Sequence, residues 1–293
     1  MLSDAFFISQ FETYLKAEKK VSVNTSVAYL KDLEQCFNYI SKEFEIDNIK
    51  SIGHLQIKSF LAQLMSQKMD AKSVNRKISS LKTYYKYLLK HQLVNTNPML
   101  KVSSPKMGKK LPVFIEQTKT IEILENLKEN TLKDEQIAND IFMTLYQTGI
   151  RLSELINLKK ANVDILNQTI KVLGKRNKER IIPITKELAL ILEPYVLSDN
   201  SSIWTFNTIK NQQLYPKFVY RVVKNIMATY TTYSKKSPHV LRHTFATQLL
   251  NGGAELNAIK ELLGHANLSA TQIYTHNNID NLKQIYRKAH PKG

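Results

Sequence analysis

Apolar residues recur at steps of three and four over most of this chain, the spacing of helices that bury one face. The pattern predicts helices over 3–18, 22–44, 54–67 and 71–91. In the second, Val27, Leu30, Leu33, Phe37, Ile40 and Phe44 form the stripe. In the fourth, Val74, Ile78, Leu81, Tyr85 and Leu88 line one face. Lys72, Arg76, Ser79, Thr83, Lys86 and Lys90 line the other. Such a helix can pack on a bundle by its apolar seam and lay its basic, hydroxyl-rich side along a phosphate backbone. Asn95-Thr96-Asn97-Pro98 ends the block, because Asn and Pro break helices. Residues 101–112, KVSSPKMGKKLP, hold four lysines and few apolar anchors and read as a basic interdomain linker. The expected organisation is a helical domain over 1–100, the linker over 101–112, and a second domain over 113–293.

The second domain starts with helices from Glu116 to Leu127 and from Asp134 to Thr148, the latter stopped by Gly149. Arg151-Leu152-Ser153-Glu154-Leu155 opens a short helix. Two β-rich runs follow, Thr169 to Leu173 and Arg180 to Ile184, joined by the basic turn Gly174-Lys175-Arg176-Asn177-Lys178-Glu179. Helical spacing then returns. One helix covers 238–250, with Ser237 as N-cap, Pro238 in the first turn, and Leu241, Phe245 and Leu249 at core spacing. Glu261-Leu262-Leu263 ends another at Gly264, a left-handed cap. Ile279, Leu282, Ile285, Tyr286 and Ala289 give a last apolar stripe, on which Tyr286 reads as a packing residue. The fold class is mainly α with a small β-hairpin/sheet.

Composition narrows the possible partners. Hydrophobic residues make up 43% of the 293, and only 8 Gly and 8 Pro occur, so collagen-like and disordered classes are excluded. No apolar run approaches a membrane span, and Met1-Leu2-Ser3-Asp4 does not open a signal peptide. The lone Cys36 excludes an internal disulfide and fits a small core filler in a reducing cytoplasm. The net charge is +17, and from Asn48 to Lys110 there are 13 Lys and Arg against a single acid, Asp70. A solubilising surface mixes both signs, so this block points to a polyanion, DNA or RNA.

Candidate chemistry sits mostly near the C-terminus. His239 and Arg242, three apart, share a helix face near its N-terminus, where an anion is favoured. His265 follows the Gly264 cap, and Tyr274 lies nine residues later. Arg151 offers a guanidinium fork that Glu154, three residues on, can orient. Lys175 projects from the hairpin turn, where it could reach a minor groove or protonate a leaving oxygen. Taken singly, each of these is an ordinary capping, packing or surface residue; their combination carries the chemistry. Neither a carboxylate or Cys/His cluster for a metal nor a GxxxxGK[ST] phosphate loop is present.

Thr148-Gly149-Ile150-Arg151-Leu152-Ser153-Glu154-Leu155, then Gly174-Lys175-x-Asn177-Lys178-Glu179-Arg180, His239-x-x-Arg242-His243, Leu262-Leu263-Gly264-His265 and Tyr274 resemble the tyrosine recombinases, Xer-type most of all. The resemblance spans nearly the whole chain. It implies a helical N-terminal SAM-like core-binding domain plus an α+β tyrosine-recombinase catalytic domain, closing round DNA as a C-shaped clamp. By the same resemblance Arg151 and Arg242 clamp the scissile phosphate and Lys175 protonates the leaving 5′ oxygen. His239 assists deprotonation, His265 bonds the phosphate and Tyr274 is the nucleophile, giving a 3′-phosphotyrosine. Glu154 supports without reacting. No cofactor is implied. Arg176 departs from the pattern, which has a small residue after the lysine. The resemblance further implies a homotetramer, or a heterotetramer with a second recombinase, on two DNA duplexes, with residues 278–290 docking in trans on a neighbour. A non-cutting architectural DNA-binding protein and a type IB topoisomerase are the alternatives. Housekeeping chromosome-dimer resolution and mobile-element integration both stay open, with the lack of room for an extra N-terminal arm-binding domain leaning toward the simple two-domain type.

Overall fold

The computed structural model describes residues 6–106, 108, 113–129, 133–174, 178–264 and 276–291. The chain divides into two compact units, Met1–Lys110 and Leu111–Gly293. The linker residues Met107 and 109–112 lie outside the described residues.

Among the described residues the first unit holds four α-helices, α1 (Ile8–Ala17), α2 (Val23–Phe44), α3 (His54–Ser66) and α4 (Ala71–Lys90). Ser22 caps α2 by accepting the Thr25 N–H. Of the helix expected over 3–18, residues 3–5 lie outside the described residues, and the described part runs Ile8–Ala17, with Phe7 before it in the left-handed conformation at φ 50°. That turn lets Phe6 stack on Phe37 with ring centroids 4.7 Å apart. The α4 stripe Val74, Ile78, Leu81, Tyr85 and Leu88 is buried throughout. In α2, Leu33, Cys36, Phe37 and Ile40 are buried, whereas Val27 and Phe44 at the ends of the stripe are exposed.

The second unit contains α5 (Gln117–Glu129), α6 (Lys133–Thr148), α7 (Leu152–Ile156), β1 (Val163–Asp164), β2 (Thr169–Leu173), β3 (Glu179–Pro183), α8 (Lys186–Leu197), α9 (Pro216–Tyr230), α10 (Pro238–Asn251), α11 (Leu256–Leu263) and α12 (His276–Ala289). The strands form one antiparallel sheet in the order β1-β2-β3, with Ile170 opposite Ile182 and Leu173 opposite Glu179. Helices and sheet share one core that includes Phe142, Tyr146, Ile170, Ile182, Leu241 and Phe245.

Two glycines set the backbone around the site. Gly149 ends α6 at φ +59°, and a Cβ there would lie 2.4 Å from the Phe245 ring of α10. Gly264 ends α11 at φ 64°, ψ 54°, the expected left-handed cap. Ser237 holds the N-cap position of α10, but its side chain makes no capping bond. Helix α12 packs in cis: Leu282, Tyr286 and Ala289 are buried, and Tyr286 donates its hydroxyl to the Gln147 carbonyl at 2.9 Å. The α12 helix packs against the chain's own α10, α11 and β3, and its Tyr286 phenol finds its acceptor on α6.

Candidate active site

Arg151 occupies the N-cap of α7, on extended backbone directly after the Gly149 turn. Glu154, at the third helical position, accepts the Arg151 backbone N–H at 2.7 Å and its Nη1 at 2.7 Å. One carboxylate thus satisfies an orphan helix donor and fixes the guanidinium. The same carboxylate receives Arg180 of β3 through both fork nitrogens, each at 2.8 Å. Glu154 and Arg180 are almost fully buried, at 3% and 4% exposure of their side chains, while Arg151 keeps 25%. Burial alone would raise the Glu154 pKa. The bonds and charge of Arg180, then those of Arg151, overcome it and bring the group down to about 2.

All three arginines converge on the end of α11. Arg180 donates Nε to the Leu262 carbonyl at 2.7 Å, Arg242 donates Nη2 to Leu263 at 2.5 Å, and Arg151 donates Nη2 to Gly264 at 3.1 Å. These consecutive carbonyls carry the partial negative charge of a helix C-terminus. Arg242 also donates Nη1 to the Gly149 carbonyl at 2.5 Å. Burial first, then the charges of Arg151 and Arg180, press the Arg242 pKa down to about 9. It stays cationic at neutral pH, and the repulsion it feels is what an anion would relieve.

The structure thus gathers Arg151, Arg242 and Glu154 at one helix end. His239 lies exposed in the first turn of α10, one turn before Arg242. Lys175, His265 and Tyr274 lie outside the described residues, as do Arg176 and Asn177. The hairpin that carries Lys175 is closed just below its tip by Gly174 N–H donating to the Lys178 carbonyl at 2.8 Å. Arg180 was not singled out in the sequence, although its signal was there. It is an arginine at an inward position of a strand, flanked by Glu179 outward and two residues from buried Ile182. A buried guanidinium demands a buried carboxylate.

The basic face of α4 needs revision in detail. Lys72, Lys82 and Lys86 are exposed, with no ion pair among the described residues. Arg76 is held by Asp32 of α2, which also binds Lys77 at 2.8 Å and Ser80 at 2.8 Å. Lys90 pairs with Glu18 at 2.7 Å and lies over the Tyr14 ring. Ser79 and Thr83 donate their hydroxyls to carbonyls one turn back in α4. The acids absent from α4 are supplied by its neighbours, which a one-dimensional pattern does not reveal. Counterion release then predicts an unequal result. Changing Lys72 and Lys86 together to Gln should reduce the slope of log affinity against log salt by roughly 2, and Lys90→Gln by less. Fluorescence anisotropy on duplex DNA at several salt concentrations reads this, and an unchanged slope in the double variant refutes the role of this face.

The described residues thus give a four-helix bundle and a separate helical unit with a small sheet and an arginine cluster, and family matches over both units make the chain a DNA strand-cleaving and rejoining enzyme. The chain belongs to the phage integrase family: residues 114–280 match the phage integrase family model, and 8–92 match the phage integrase N-terminal SAM-like domain. It is 39% identical over 291 residues to a tyrosine recombinase XerC of Leptospira interrogans serogroup Icterohaemorrhagiae serovar copenhageni, covering 96% of this chain and 92% of that protein. It is 33% identical to that of Anoxybacillus flavithermus, covering 98% of each. Among solved structures, XerH bound to palindromic difH in a post-cleavage complex aligns with TM-score 0.71 at 22% identity, over 94% of this chain and 83% of that one. The Tn1549 transposon integrase with transposon right end DNA aligns with TM-score 0.72 at 18% identity, over 97% and 98%. These two share its fold. The activity is site-specific DNA recombination by a tyrosine-type recombinase. No described helix is long and apolar enough to cross a membrane.

Proposed function

We propose that Arg151, Lys175, His239, Arg242, His265 and Tyr274 form the catalytic set, and that the chain acts in the cytoplasm as an Xer-type resolvase of chromosome dimers. The observation that carries the reading is electrostatic: three guanidiniums gather at the end of α11, and one carboxylate, Glu154, pairs with only two of them. The excess positive charge suits a phosphodiester whose equatorial oxygens gain negative charge in the transition state. The Tyr274 oxygen attacks the phosphorus and its proton passes toward His239. The P–O bond to the 5′ carbon's oxygen breaks, and Lys175 supplies the proton that makes a 5′-hydroxyl. A 5′-hydroxyl from the other duplex then attacks the phosphotyrosine and expels Tyr274. One phosphodiester replaces another, so no nucleotide hydrolysis is required.

In this reading the Met1–Lys110 unit grips the duplex through α4 and the second unit cuts. Four protomers act on two duplexes, either as one species or with a second recombinase, and α12 leaves its cis seat for a neighbour on assembly. Full-length similarity to XerC proteins supports the housekeeping role over integration of a mobile element.

Two plasmids test the reading, one carrying paired copies of a site that the protein selects from random-sequence DNA and one siteless. Strand exchange on the first without relaxation of the second is expected. Relaxation of both, without exchange, would establish a type IB topoisomerase instead, and binding with neither would leave an architectural protein.

A further inference from the structure

We infer that Arg180, which the family resemblance gives no role, is a positioning residue that sets the phosphate clamp by fixing Glu154 and the end of α11 at once. Its plane reaches three acceptors. Two fork nitrogens take both Glu154 oxygens at 2.8 Å, and Nε takes the Leu262 carbonyl at 2.7 Å. Each of these groups is one step from a clamp arginine. Glu154 holds Arg151 by its backbone and its guanidinium. Leu262 directly precedes Leu263 and Gly264, whose carbonyls hold Arg242 and Arg151.

The site is built tightly around this side chain. A Cβ on Gly264 would approach the Arg180 Cδ and Nη1 to 3.1 Å, so the left-handed turn and the guanidinium share the same space. Arg180 itself is 3% exposed and does not face a ligand. It also stands in β3, whose partner β2 leads into the hairpin turn at Gly174. Through one residue, the sheet, the N-cap of α7 and the C-cap of α11 are held in one register. Lysine cannot replace it, because an ammonium is a point donor and does not span a carboxylate and a carbonyl in one plane.

This inference rests on Arg151 and Arg242 being the phosphate clamp. Its test uses nicked duplexes bearing the self-selected site, one with the natural scissile phosphodiester and one with a neutral methylphosphonate there. Rates and end-point fractions of covalent adduct are measured for wild type and Arg180→Lys. The end point counts competent molecules, so partial misfolding lowers it without altering the rate constant. A misplaced clamp loses most where the phosphate is charged. We expect Arg180→Lys to slow the phosphodiester reaction by about 10- to 100-fold and the methylphosphonate reaction by less than about threefold. Equal slowing on both substrates, or wild-type rates on both, overturns the positioning role while leaving the clamp itself intact. Absence of adduct from wild type, on the site it selects, overturns the reading beneath it and this inference with it. If Arg180 acts through Glu154, Glu154→Gln should slow the phosphodiester reaction selectively as well, and combining it with Arg180→Lys should add little further loss; full additivity of the two losses counts against the Glu154 arm.

Discussion

Tyr274→Phe should abolish covalent attachment to DNA and leave DNA affinity unchanged. In the proposed reaction the substitution removes the oxygen whose electron pair forms the new bond to phosphorus, and nothing in the apolar ring can take its place. Because the step is made impossible rather than slowed by loss of a stabilising contact, the expected fall exceeds about 10⁴-fold, at the limit set by contaminating wild type. A denaturing gel of nicked site DNA incubated without added metal reads the result, with a shifted protein–DNA band in wild type alone. A persisting band would assign the nucleophile elsewhere. The rival closest in sequence, Tyr286, is a poor substitute on structural grounds. It is 1% exposed, its hydroxyl is donated to the Gln147 carbonyl, and burial raises its pKa well above the ordinary phenol value. Tyr286→Phe should therefore retain the adduct.

The parts of this molecule legible from sequence are those governed by local rules. Gly149 and Gly264 stop their helices because the backbone there is left-handed, and the stripe on α4 is buried because its spacing is helical. Glu154 was assigned to Arg151 because three residues on a helix is one turn, and the structure gives that pair at 2.7 Å. What stayed hidden depends on residues distant in the chain. Arg180 meets Glu154 26 residues away and Leu262 82 residues away, so no window contains the interaction. Asp32 pairs with Arg76 and Lys77 from another helix and offsets one of their two charges, which makes α4 less basic than its own sequence suggests. Strand β1, Val163–Asp164, has two residues and no alternation to detect; it exists because Val163 can pair with Ile170. The seat of α12 within one chain was hidden for a related reason. An apolar stripe states that a helix must dock, and only the three-dimensional core shows that Gln147 offers the acceptor for Tyr286.

Arg242→Ala should reduce cleavage by about 10³-fold, near 4 kcal/mol, with a much smaller change in DNA affinity. The reason lies in how the side chain is held. Its two Nη groups are committed to the Gly149 and Leu263 carbonyls, so its orientation is fixed before any phosphate arrives. Burial, then repulsion from Arg151 and Arg180, lowers its pKa to about 9, so the charge is costly to hold among these neighbours. A phosphodiester offsets part of that repulsion. The pentavalent transition state carries more negative charge on its equatorial oxygens and offsets more, so the interaction strengthens as the reaction proceeds. Binding to the rest of the duplex is spread over many phosphate contacts and hardly depends on this residue. Arg242→Lys keeps the charge but cannot span both carbonyls, and it should recover only part of the rate. Single-turnover cleavage and equilibrium binding, measured on the same nicked site with Tm as a check on folding, separate the two quantities. Cleavage by Arg242→Ala within about threefold of wild type would remove Arg242 from the clamp, whereas a parallel loss of affinity and rate would make it a ground-state binding residue with no preference for the transition state.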